Sequence, residues 1–115
     1  MHPNRRRGEI VATLDGRPYL LCLTLGALAE LESAFAADDL GALVARFSTG
    51  KLSASDLVRI IGAGLRGAGN DIADEKVTGM QCDGGAAGFA AIASELLTAT
   101  FGGAGGGAGD APQNP

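Results

Sequence analysis

The stretch ATLDGRPYLL, residues 12–21, decides the fold. An Asp-Gly pair between two runs of alternating apolar residues is the strongest short signal for a β-hairpin, because a type I′ turn needs positive φ at both central positions. Glycine meets that need without a Cβ clash, and aspartate meets it more cheaply than most residues. Upstream, Ile10, Ala12 and Leu14 fall on one strand face and Glu9, Val11 and Thr13 on the other. A two-residue turn at Asp15-Gly16 then sets Ala12 opposite Tyr19 and Ile10 opposite Leu21. Pro18 has no N–H for a ladder, so its position must face outward and the second strand is edge-like at its start. A lone hairpin is marginal in water. Something else in the chain must cover its apolar face.

The remaining sequence reads as helix. Thr24 is placed to cap a helix from Leu25 to about Ala37, with Leu28, Leu31 and Phe35 at helical spacing and Glu30 and Glu32 off that stripe. Asp38 or Asp39 restarts the chain for a second helix through Leu40, Leu43, Val44 and Phe47, closed by Gly50. Ser53 and Asp56 stand at capping-box spacing before Leu57, Ile60, Ile61 and Leu65. Glycines 62, 64, 67 and 69 lower that helix's own propensity by about 1 kcal/mol each where they lie in its interior, so it needs neighbours. Residues 67–85 are polar and Gly-rich and predict a loop with one short helix around Ala73 to Met80. From about Ala86, the residues Phe89, Ile92, Ala93, Leu96, Leu97 and Phe101 form one apolar stripe. The expected fold is α+β and mainly helical, an N-terminal β-hairpin packed on a small bundle of about four helices. One domain spans 8–101, between a flexible basic N-terminus (1–7) and a disordered Gly-rich tail (102–115).

Composition narrows the function. With four Phe, one Tyr and no Trp against 19 Gly, the core must be built from Leu and Ile. A domain of this size buries only about 60–65% of the surface its unfolded chain exposes, so those side chains must be well placed. Thirteen acidic residues face nine basic ones, and Arg5, Arg6 and Arg7 hold three of the nine; the body is left with six against thirteen, a net charge of −7. A nucleic-acid binder gathers basic residues on its folded surface, so none is expected as a partner. Three arginines on a chain end give only weak, salt-sensitive attraction. Between Gly84 and Gly109 only Glu95 is charged, but Gly and Ala dominate that stretch and the carboxylate sits near its middle, which speaks against a membrane span.

Groups for catalysis are scarce. The single histidine, His2, stands beside the first residue, so neither Cys22 nor Cys82 has a candidate base and zinc has too few ligands. The two cysteines are expected as buried thiols in a reducing cytoplasm. Glu30 and Glu32 lie about 200° apart around a helix and cannot share a proton or a metal. Asp38-Asp39 reads as a cap, and Asp71, Asp74 and Glu75 as a solvated acidic loop. GAGLRGAG (62–69) imitates a dinucleotide fingerprint, yet it closes a helix instead of following a strand. No catalytic, cofactor-binding or metal-binding residue is expected, and no enzyme. What remains is a protein-binding module.

The segments NRRRGEIVATLDGRPYLLCLTLGALAELE (4–32), DLGALVARF (39–47), SASDLVRIIGAGLRGAG (53–69) and ELLTATF (95–101) together resemble the small gene transfer agent tail protein family, found in the tail modules of domesticated phages of alphaproteobacteria. The most specific pieces are Gly8-Glu9, the Asp15-Gly16 turn, Leu25 to Glu32 and Gly64 to Gly69. The resemblance implies either a tail tube subunit or a tail assembly chaperone. Tube subunits close a ring of strands around a channel, and one hairpin is too few. The chaperone alternative implies a cytoplasmic protein that coats the apolar tape-measure protein and recruits tail tube subunits, with possible self-association; the tube alternative implies a component of the particle's tail. The partner-binding residues are not evident from the sequence.

Overall fold

Asp15 and Gly16 both take left-handed backbone, with φ of 53° and 75°. In the computed structural model, which describes residues 8–35, 45 and 53–101, they form the turn between β1 (Glu9–Leu14) and β2 (Arg17–Cys22). The strands are antiparallel, and Ala12 pairs with Tyr19 and Ile10 with Leu21 as the turn length requires. Pairs in such a ladder alternate between hydrogen-bonded and open. Since Leu14 and Arg17 close the turn, Thr13 and Pro18 fall on an open pair, where a missing N–H costs the ladder nothing. Asp15 also ties the turn down. Its N–H donates to the Gln81 carbonyl at 2.8 Å, and the Gln81 N–H donates to its Oδ1 at 2.9 Å.

Helix α1 (Leu25–Phe35) starts at Thr24, whose Oγ1 accepts from the Ala27 N–H at 3.2 Å. Its buried stripe is Ala27 and Leu31, with Leu28 half-buried, so the helix is rotated toward Ala27 relative to the expected Leu28 stripe. Helix α2 (Ala54–Gly67) opens with the expected capping box: the Asp56 N–H donates to Ser53 Oγ at 3.1 Å and the Ser53 N–H to Asp56 Oδ2 at 2.8 Å. A single turn, α3 (Asp74–Val77), lies inside the expected loop, and α4 (Gly85–Phe101) completes the described residues. The helix expected over 40–47, residue 45 apart, the basic N-terminus and the Gly-rich tail lie outside the described residues.

The hairpin is covered by α2 and α4: α2 lies against β2, and α4 against β1 and β2. Ile10, Ala12, Leu14 and Leu21 are buried there, with Leu96 and Leu97 from α4 and Ile60, Ile61 and Leu65 from α2. The largest fully buried side chains are all Leu or Ile. Phe101 departs from expectation: at the end of α4 it is 39% exposed, beyond the reach of the core stripe.

The glycines of α2 explain its position. A Cβ at Gly64 would stand 2.6 Å from Leu96 Cδ2, and one at Gly67 would collide with the Cys22 carbonyl oxygen. Helix α2 thus approaches α4 at one glycine and the end of β2 at another, and six consecutive residues, 60–65, are buried. The helix that propensity marks as weakest is the central one, held by β2, α1, α3 and α4 around it.

Candidate partner-binding groove

The outer side of α2 carries a second apolar face. Ala54, Leu57, Val58 and Ile61 follow helical spacing along it. Opposite stand Val77 and Met80, placed by α3 and the turn after it, and Phe89 from the second turn of α4. They line a groove of about 180 Å³, comparable to a cavity of about 150 Å³ that holds a benzene ring. Its floor, Ile61, Val77 and Met80, is buried, while Leu57, Val58 and Phe89 are half-buried along its walls. Among the described residues that line it none is ionisable. Such a groove offers desolvation to one bulky apolar side chain and no proton transfer. A polar depression lined in part by Arg59, Asp74 and Glu75 adjoins it across Ala54 and Val58.

A second cluster lies beside it. Arg66 donates from Nε and Nη2 to Glu30 Oε1 at 3.0 and 2.7 Å, and from Nη1 to the Ile72 carbonyl at 2.8 Å and Asp74 Oδ1 at 3.0 Å. Hydrogen bonding to Glu30 is the chief cause holding the guanidinium above its ordinary pKa; burial opposes it and Asp74 adds to it. Asp74 is therefore an ion-pair partner rather than a purely solvated loop residue, and Glu30 is parted from Glu32, which is exposed. With its donors turned to two carboxylates and a carbonyl, Arg66 holds α1, α2 and α3 together.

The other residues weighed for chemistry stay apart. Cys22 is buried at the end of β2, and Cys82 is a half-buried thiol in the loop before α4. Burial first, and the charge of Asp83 second, push the Cys82 thiol above its ordinary pKa. Asp71 and Glu75 are exposed, and His2, Asp38 and Asp39 lie outside the described residues. Among the described residues no group of three or more His, Cys, Asp or Glu is placed to hold a metal ion, and no helix is long and apolar enough to cross a membrane. Residues 62–69 form the second half of α2 and its exit, so the Gly-rich run does not follow a strand. The groove itself was not evident in the sequence, because Leu57 shares with Ile61 a helical stripe that reads as core; only packing leaves Leu57 half-buried where Ile60, Ile61 and Leu65 are buried.

Comparison with protein families matches residues 7–103 to one model, described as phage tail tube protein, GTA-gp10. Neither the curated proteins nor the solved structures provide a match.

Proposed function

The chain belongs to the GTA-gp10 family of phage tail tube proteins, which gives it a structural or assembly role in a phage-type tail, and on that premise we propose that it acts as a tail assembly chaperone. It binds the tape-measure protein and tail tube subunits without catalysis, in the cytoplasm of the producing cell, and residues 8–101 are its folded unit. The observation that carries this reading is the groove between α2 and α4. Its described lining is apolar, without ionisable groups, and sized for one side chain, which suits an apolar helix docking by anchors at helical spacing. A tape-measure helix is such a ligand. That the described residues form a two-strand sheet supports the same reading, since a tube wall built of strands needs more of them from each subunit.

Co-expression tests it. The tape-measure protein is expected to move from the insoluble to the soluble fraction in the presence of this protein; unchanged solubility overturns the proposal. The second reading, a component retained in the finished tail, is favoured by the family's own description as a tube protein. Mass spectrometry of purified particles separates the two, because a chaperone is absent from them and a tube subunit is present in many copies.

A further inference from the structure

The side chain of Asp15 does something that its turn does not require. A type I′ turn is met by Asn-Gly and Gly-Gly as well as by Asp-Gly, because it demands positive φ and not a carboxylate. What the carboxylate adds lies 66 positions away. Its Oδ1 accepts from the Gln81 N–H at 2.9 Å, while the Asp15 N–H donates to the Gln81 carbonyl at 2.8 Å. The first bond holds the peptide plane between Met80 and Gln81, and the second holds the plane that follows it. Met80 is therefore joined directly to a peptide that the hairpin grips, and Met80 is a buried floor residue of the apolar groove.

The other end of this wall is held from α2, where Arg66 Nη1 donates to the Ile72 carbonyl at 2.8 Å and to Asp74 Oδ1 at 3.0 Å. Between the two attachments the chain bonds to itself. The Thr78 hydroxyl donates to the Glu75 carbonyl at 2.6 Å, the Gly79 N–H to the Lys76 carbonyl at 3.1 Å and the Met80 N–H to the Val77 carbonyl at 3.0 Å. A single helical turn is not stable alone, but these bonds carry Val77 and Met80 as one piece. Apolar packing draws that piece onto the core without fixing where it stops, because burial is non-directional; hydrogen bonds at its ends are directional and do fix it. We propose that the Asp15 carboxylate is a positioning residue for the groove, a role that rests on the docking reading of that groove. Through the Met80–Gln81 peptide it sets how far Met80 stands from Leu57, Val58 and Ile61 on α2, and so the width of the apolar anchor that enters. Asp15 and Gln81 are exposed, so water takes up the freed groups when the bond is lost, and the wall shifts without unfolding the domain.

Asp15→Gly and Asp15→Asn separate this role from the turn. Glycine keeps the positive φ and the backbone N–H and removes only the carboxylate; asparagine tolerates the same backbone and restores an acceptor oxygen. In native-state hydrogen exchange the Gln81 amide should exchange about three- to tenfold faster in Asp15→Gly and return toward the original rate in Asp15→Asn, while the ladder amides of β1 and β2 keep their protection. The chain has two methionines, Met1 and Met80, so a methionine-methyl NMR spectrum reads the wall directly. The Met80 signal, from a methyl that shares the groove with the Phe89 ring, should move in Asp15→Gly and return in Asp15→Asn. Rescue of tape-measure solubility on co-expression should fall and return in the same order. An unchanged Gln81 rate with an unmoved Met80 signal in Asp15→Gly overturns the proposal, as does Asp15→Asn behaving like Asp15→Gly, or rescue that stays intact while the Met80 signal moves. Loss of ladder protection in Asp15→Gly overturns it too, by assigning Asp15 to the turn. Should the unaltered chain give no rescue, the docking reading fails by itself, and the exchange and methyl readouts still decide whether Asp15 places Met80.

Discussion

Arg66 shows how much one side chain can hold. Its partners Glu30 and Asp74 are 36 and 8 residues away, and its own side chain is 27% exposed. Charge-assisted bonds to a fixed fork are stronger than neutral ones, so Arg66→Ala should lower unfolding free energy by about 1–3 kcal/mol in urea titrations. Glu30→Gln should cost less than about 1 kcal/mol, because Glu30 is nearly half exposed and water screens the pair. Since the guanidinium is held above its ordinary pKa, the stability contributed by its own protonation is fully present below that value and is lost only as pH rises through the folded one. Cys82 obeys the same sign in a range that can be reached. Its folded pKa is raised by burial and by Asp83. As pH climbs past the ordinary thiol value the unfolded chain releases its proton first, and the stability from this group declines until the folded pKa is passed. Alkylation of native Cys82 near pH 8.5 should accordingly be slower than that of a free cysteine peptide, and faster in Asp83→Asn. Arg66 did not announce its role in the sequence, because a partner 36 positions away leaves no local pattern.

Among the elements, the hairpin and the start of α2 were legible because their signals are local. Asp15-Gly16 with alternation on both sides sets the register, and Ser53 with Asp56 sets the first turn of the helix. The end of α2 was not. Its glycines read as weakness, while in the fold they are the points where neighbours come close. Alanine at these positions adds helix propensity of about 1 kcal/mol, and which effect prevails depends on what the new methyl meets. At Gly64 it meets the tip of Leu96, which can turn aside, so Gly64→Ala should destabilise by about 1–2 kcal/mol net. At Gly67 it meets the backbone carbonyl of Cys22, which cannot move without unseating β2, so Gly67→Ala should cost more, about 3 kcal/mol or above. Thermal melts of the two variants, side by side, read the order. The α4 stripe was legible as far as Leu97. Phe101 was not, since a periodic pattern does not tell where the core beneath a helix stops.

At the scale of the whole molecule, the class of fold followed from the sequence and the groove did not. An apolar residue in a helical stripe can face a core or a partner, and only the placement of α3 and α4 leaves Leu57, Val58 and Phe89 half in water. That placement makes a separation of function from stability testable. Leu57→Glu, at a groove wall, should leave the melting temperature within a few degrees while abolishing the rescue of tape-measure solubility. Loss of folding together with rescue would instead assign Leu57 to the core. The route of the chain has one more result, in time rather than in space. The greasy side of β1 rests on α4, the last helix described, so a ribosome releases the ribbon long before it makes the cover. At about 5–20 residues per second the wait is roughly 4 to 17 s. Through that interval the nascent hairpin must be shielded by transient company, and the final seal forms only once α4 has been made.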